Sequence, residues 1–333
     1  MSLPKIVYEI GKINPKYIEE AAEYHRKKPR FKPFLLAAVI SVSVCGLTAA
    51  AIGIGGLEKL KGYFDSESAK FSDEVPTIDD PILYGSDLSD KELSEGEARA
   101  VSISSDGHSF FAMIEYALSE KEIAAAPDNS SLGFKRYFDN CDGICVGIQP
   151  ISREDNIFTC LYYSGGIADM PKDGITVSLE GLGYYTGNIG DGFTVISERS
   201  LSVNIKKESL RFLEFKKASN TVKAENLNLK AELSSLGLIL SCDSGEYSNM
   251  VEEHGKKYAA KFLQVNDFVF YMKDGTVYGD GEDYASVSGL FRCQCGWSEN
   301  GREYFYYGFS APIDADEILK ISVCGETLNF EGT

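Results

Sequence analysis

Cysteine is the residue type in this chain with the widest choice of chemistry. Cys45 sits inside a long apolar run, and seven more follow: Cys141, Cys145, Cys160, Cys242, Cys293, Cys295 and Cys324. Thiols can ligate a soft metal, close disulfides, or pack as small apolar groups. Cys141-x3-Cys145 and Cys293-x-Cys295 could together form a four-sulfur site, but no histidine lies close to either pair in sequence, and the reading assigns no metal site. Seven cysteines cannot all pair within one chain. Cys141–Cys145 is the easiest loop to close, while Cys160, Cys242 and Cys324 lie in or beside apolar strands where reduced thiols pack, so disulfides and buried thiols stay open alternatives.

The other candidate chemistry is thinner. His25 lies in a basic flank, His108 at a hairpin and His254 in a charged EEHGKK turn, each in a solvent-exposed setting, and no serine sits in a G-x-S-x-G elbow. Gly181-Leu182-Gly183-Tyr184-Tyr185-Thr186-Gly187 lacks the G-x-G-x-x-G spacing of a nucleotide loop and reads as turn or bulge glycines. Asp139, Asn140 and Asp142, and Asp280, Glu282 and Asp283, offer oxygen ligands but fit no twelve-residue calcium loop, so solvated acidic turns are expected. No catalytic residue and no cofactor is assigned. Tyr304-Phe305-Tyr306-Tyr307 alternates across a strand, and burial of both faces is expected over an exposed tyrosine surface for peptide or glycan.

The elements that would carry these residues divide sharply. Phe34 to Leu57 is twenty-four residues without a charge, preceded by HRKKPRFKP. Such a run exceeds the roughly 30 Å core of a bilayer, and the basic flank predicts an N-terminus inside and the rest outside. A cleavable signal, for which Ala49-Ala50-Ala51 would serve as the cut site, has a shorter apolar core and a shorter basic start. The reading is therefore a single-pass cell-membrane protein whose first partner is the lipid bilayer. Residues 1–33 carry eight Lys/Arg against four Glu, a net of +4, which leaves −21 of the chain's −17 to the remainder. An outer part so acidic repels nucleic acid.

Within the basic tail, Pro15 can open a helix after an Asn14 cap, with Glu19 and Glu20 early and basic residues late. Tyr17, Ile18, Ala21 and Tyr24 would offer one side of it to a cytoplasmic protein partner. Residues 58–96 are rich in Ser, Asp, Glu and Lys, are broken by Pro76 and Pro81, and read as an acidic stalk. Beyond them, strand-like runs recur, including Ala98–Ser104, Phe110–Ala117, Leu210–Phe215, Val222–Leu229 and Tyr304–Phe309, with hairpin signals at Ser105-Asp106-Gly107 and Lys273-Asp274-Gly275. Short helices are expected at Ser119–Ala126 and around Ser248–His254. The fold class is mainly β, with two sandwich domains at 97–217 and 218–333.

Ile10-Gly11-Lys12-Ile13-Asn14-Pro15-Lys16-Tyr17-Ile18-Glu19-Glu20-Ala21-Ala22-Glu23-Tyr24, followed by a basic run and one apolar helix, resembles a group of Gram-positive membrane-anchored proteins with an uncharacterised tandem immunoglobulin-like outer region. Phe309-Ser310-Ala311-Pro312-Ile313-Asp314, with Ile318, Ile321, Val323 and Gly325, looks like the closing segment of those regions. The resemblance implies two immunoglobulin-like sandwiches and, for some members, a link to sigma factors of the extracytoplasmic-function type. A zinc-binding anti-sigma domain does not fit, because the tail has His25 and no cysteine. The function expected is surface binding or sensing, with a signal passed to a cytoplasmic partner such as a sigma factor. The alternative is a structural or adhesive envelope protein.

Overall fold

A computed structural model describes residues 56–71, 86–88, 93–127, 130–185, 192–224, 227–243, 250–253, 256–259, 268–278, 290–323 and 325–330. All fall in one compact unit, residues 51–333. The tail residues Tyr17, Ile18, Ala21 and Tyr24, residues 34–55 of the apolar run, His254, Asp280, Glu282, Asp283 and Cys324 lie outside the described residues. Among the described residues no helix is long and apolar enough to cross a membrane.

The chain folds mainly as antiparallel β structure in two lobes. In the first, strands β1 (Ser86–Asp87), β2 (Ala98–Ser105), β3 (Ser109–Ala117), β6 (Ile157–Gly165) and β5 (Cys145–Glu154) form one sheet in that order. Strands β4 (Ser131–Asp139), β7 (Gly174–Tyr185) and β8 (Phe193–Lys206) form a second. Between them lies a core built from every other residue: Phe110, Ala112, Ile114 and Tyr116 of β3, Phe158, Cys160 and Tyr162 of β6, and Ile175, Val177 and Leu179 of β7. This is the period-2 signature of sheet packed on sheet.

In the second lobe, β10 (Val222–Ala224), β11 (Leu227–Leu233), β12 (Gly237–Asp243), β18 (Arg302–Phe309), β17 (Phe291–Glu299), β14 (Lys256–Ala259) and β13 (Met250–Glu253) form the larger sheet, with β9 (Lys216–Lys217) paired to β11. Strands β16 (Val277–Tyr278), β15 (Phe268–Met272), β19 (Ile318–Val323) and β20 (Glu326–Asn329) make the smaller one. Phe268, Phe270, Phe305, Tyr307, Phe309, Ile318 and Ile321 fill the core of this lobe.

A third apolar cluster joins the lobes. It takes the opposite faces of the same strands: Val101 of β2, Phe111 and Met113 of β3, Leu161 and Tyr163 of β6, Ile239 of β12, Cys293, Cys295 and Trp297 of β17, and Tyr306 of β18. Strand β3 is consequently buried along its whole length. The aromatic run resolves as alternation demands, with Phe305 and Tyr307 inside the second lobe and Tyr304 and Tyr306 at the junction.

Three local expectations are corrected. The segment read as an acidic stalk from residue 58 opens with a docked helix, α1 (Gly56–Phe71), whose Leu60, Tyr63 and Phe64 join the junction cluster. Spacing of three and four puts these residues on one stripe, which the surrounding Lys, Asp and Glu conceal in a composition reading. Around residue 250 there is a strand instead of a helix, since Met250–Glu253 pairs antiparallel with Lys256–Ala259. Leu210–Phe215 is no strand but a connection that touches the first lobe, with a bridge from Phe212 to Ser105 and Leu213 N donating to Ser105 O at 2.9 Å. Helix α2 (Glu120–Ala125) forms where Ser119 and Glu122 make a reciprocal capping box.

Candidate thiol site at the junction of the lobes

Cys145, Cys293 and Cys295 converge so that their three Sγ atoms lie within 4.8 Å of one another. They come from both lobes. Cys145 begins β5, the edge strand of the first sheet, and stands opposite Gly165 of β6. Cys293 and Cys295 follow a β-bulge at Arg292: Phe291 pairs with Phe309, and Cys293 pairs with the very next partner residue, Gly308. The extra residue reverses the phase of the strand. Phe291 therefore points into the second lobe's core, while Cys293, Cys295 and Trp297 point at the first lobe.

Glycines and one tyrosine close the site. Gly166 has φ +72, and a Cβ there would fall 2.2 Å from Cys295 Sγ. The position demands the residue without a side chain. Tyr163 Oη lies 2.5 Å from Cys293 Sγ. Cys293 and Cys295 are buried, whereas Cys145 is only partly so and keeps one side of the cluster open. As a thiol Cys145 reaches the Gln294 carbonyl at 3.7 Å. As a thiolate it is stabilised by the Cys293 and Cys295 S–H groups, which hold it well below the ordinary thiol range. The hydrogen bond to Cys145 and burial push Cys293 up to about 12 and raise Cys295 well above the ordinary thiol range.

Around the sulfurs, Arg292 lays its guanidinium over Tyr63 of α1 and over Phe111 and Tyr163 of the first lobe, at 5.4, 5.7 and 5.7 Å from the ring centroids. It also approaches Glu67 of α1 at 3.7 Å. Helix α1 is held also by Lys59, which donates to Glu115 Oε1 at 2.5 Å, while Arg99 donates to Oε2 at 2.9 Å. Burial opposes ionisation of Glu115, yet these two cations win and lower its pKa.

Of the four cysteines that sequence could group, three meet and Cys141 does not. Cys141 is buried in the first lobe's core, with burial and the Asp139 carboxylate pushing its thiol far up. Cys141 and Cys145 are both free, and they serve different clusters, so the short disulfide is not formed. Cys160 is a buried free thiol, and Cys242 is buried with its S–H donating to Glu303 Oε2 at 3.6 Å. Asp139 accepts from Cys141 N and Tyr162 Oη, and Asn140 accepts from Thr176 N, so this acidic turn is spent on the fold. His108 is wired in as well: its Nδ1–H donates to Ile167 O at 2.7 Å, and the ring stacks on Trp297. Gly181 takes φ +65 beside a register shift in β7, a bulge glycine.

The same-face spacing of Cys293 and Cys295 was visible in sequence. Their partner Cys145, about 150 residues earlier, was also a candidate through Cys141-x3-Cys145, but nothing in sequence singled it out over Cys141. The chain matches no protein-family model and no curated protein. Among solved structures it is similar to "the conserved domain protein from Bacillus anthracis", at 10% identity over 71% of this chain and 75% of that one with a TM-score of 0.35, a likeness too slight to carry any argument.

Proposed function

We propose that this chain is a single-pass membrane protein of the cell envelope whose two immunoglobulin-like lobes form a non-catalytic binding or sensing module, with the apolar run as anchor and the basic tail as its cytoplasmic output. One observation carries the reading. Helix α1 starts within the last two residues of that run, Gly56 and Leu57, and its apolar stripe is packed into the junction where the lobes meet. An event that separates or tightens the lobes must therefore act on Leu60, Tyr63, Phe64 and the Lys59–Glu115 pair, the residues next along the chain from the anchor. A purely adhesive protein needs no such arrangement.

The experiment has two parts. In intact cells a cysteine placed at Ser2 resists an impermeant maleimide, and phosphatase fused after Thr333 is active; labelling at Ser2 with an inactive fusion would reverse the orientation. Removing residues 2–24 while keeping Arg26 to Lys32 leaves insertion intact and removes a cytoplasmic partner from the purified complex. Identical partners with and without those residues would favour the structural or adhesive reading.

A further inference from the structure

We infer that Cys145, Cys293 and Cys295 form a binding site for one thiophilic d10 cation, Cu+ or Zn2+, that bridges the two lobes. Three sulfurs within 4.8 Å of one another match the mutual spacing of ligands around a single ion, since a Zn–S bond is about 2.3 Å. The donor set is entirely sulfur, which selects soft or borderline metals over calcium or magnesium. Partial exposure at Cys145 supplies an entry side, and the buried pair supplies a dry floor.

The surroundings resemble those of a ligand set more than those of three packed thiols. Tyr163 Oη touches Cys293 Sγ, which gives that sulfur an outer partner of the kind that orients metal ligands. Arg292 places a guanidinium charge beside Cys293, and this cation compensates the negative charge that three thiolates bring. The backbone is shaped to the sulfurs at Gly166 and at Gly308, where an added Cβ would meet Cys295 Sγ at 2.2 Å and Cys293 Sγ at 2.9 Å. On binding, the Cys145, Cys293 and Cys295 thiols give up their S–H protons to solvent and ligate as thiolates, with no change in the oxidation state of metal or sulfur. Cu+ is satisfied by three sulfurs, whereas Zn2+ takes a solvent molecule as its fourth ligand.

The inference rests on the sulfur cluster alone and is independent of the membrane orientation. Its test uses the reduced full-length protein in detergent under anaerobic conditions, titrated with Cu+ against a chromophoric chelator and separately with Zn2+, with metal per chain measured by mass spectrometry. One equivalent of one of these ions is retained. Cys145→Ser, at a partly exposed edge position that leaves the fold intact, loses it by more than the roughly 10–100-fold expected for an outer partner, and Tyr163→Phe weakens it within that range. Cys141→Ser and Cys160→Ser bind as the parent does. With Co2+ as probe, the parent shows thiolate-to-metal charge-transfer absorption and Cys145→Ser does not. Failure to retain either ion, equal retention by Cys145→Ser, or a Cys145–Cys293 or Cys145–Cys295 disulfide that persists in mild reductant would each overturn the site.

Discussion

Ser234 donates through Oγ to Asp106 Oδ2 at 2.6 Å, and the two residues belong to different lobes, both fully enclosed. Asp106 Oδ1 meanwhile accepts from the backbone N–H groups of His108 and Ser109 and from Ser109 Oγ. Even so, burial outweighs these bonds and raises the Asp106 pKa above 3.8. A carboxyl raised in the folded state holds its proton more tightly there than in the unfolded chain. Its contribution is fully favourable below about pH 4 and is lost as pH rises through the raised value.

It follows that Asp106→Asn, which keeps the acceptor oxygen, becomes progressively more stable relative to the parent as pH is raised from 4 to 8. Urea unfolding followed by fluorescence of Trp297, the single tryptophan and itself at the junction, measures this. A constant difference across that range would refute the assignment. Ser234→Ala at pH 8 leaves the carboxylate one donor short and costs about 1–3 kcal/mol.

The clasp on α1 responds in the opposite sense. Lys59 and Arg99 depress the Glu115 pKa, so the stabilisation is present above about pH 4.5 and is lost as pH falls through the lower folded value. Glu115→Gln should cost about 1–3 kcal/mol at neutral pH, below the range for wholly buried pairs because both cations are partly exposed. Amide exchange across residues 56–71 should speed up in this variant. Unchanged protection of the helix would show that the ion pairs do not hold it.

Reactivity distinguishes the thiols of the reduced, metal-free protein. Among the six cysteines described, iodoacetamide at pH 6 should modify Cys145 first, because its thiolate is held well below the ordinary range by the Cys293 and Cys295 S–H groups and it alone of the six is partly exposed. Cys160, buried with its thiol pushed far up, should stay unmodified until the fold opens. Peptide mass mapping over time reads the order, and equal rates at Cys141 and Cys145 would contradict it.

Much of the β framework was legible because it follows a local rule. Alternation in Phe110–Ala117, Ile157–Tyr163 and Tyr304–Phe309 marks strands buried on both faces, and Ser105-Asp106-Gly107 turns as that tripeptide should. Strand β5 was missed because Pro150 and a bulge interrupt its period, whereas Phe291–Glu299 was missed although Phe291, Cys293, Cys295 and Trp297 fall at every second position. Helix α1 hid behind its charges. The site was legible only in part: Cys141-x3-Cys145 and Cys293-x-Cys295 stood out as possible partners, but which of the four sulfurs meet depends on how two lobes stack, which no local pattern encodes.

Gly166→Ala tests how tightly that meeting is built. A left-handed backbone angle and a methyl group 2.2 Å from Cys295 Sγ should together cost about 3 kcal/mol, read as a lower urea midpoint. Gly147→Ala, with open space around the added carbon, serves as the control and should be nearly neutral.

The bulge at Arg292 makes the sulfur site a matter of parity. Residues 293, 295 and 297 share odd numbers with Phe291 yet face the other way, solely because one extra residue intervenes. Loss of that single codon would leave Phe291 and the first cysteine adjacent in an unbroken ladder, still facing opposite lobes as they do now, and would remove only the Arg292 side chain. What the inserted residue adds to the site is therefore the guanidinium that lies over Tyr63, Phe111 and Tyr163, while the facing of the cysteines is set by the pairing of Phe291 with Phe309 and of Cys293 with Gly308.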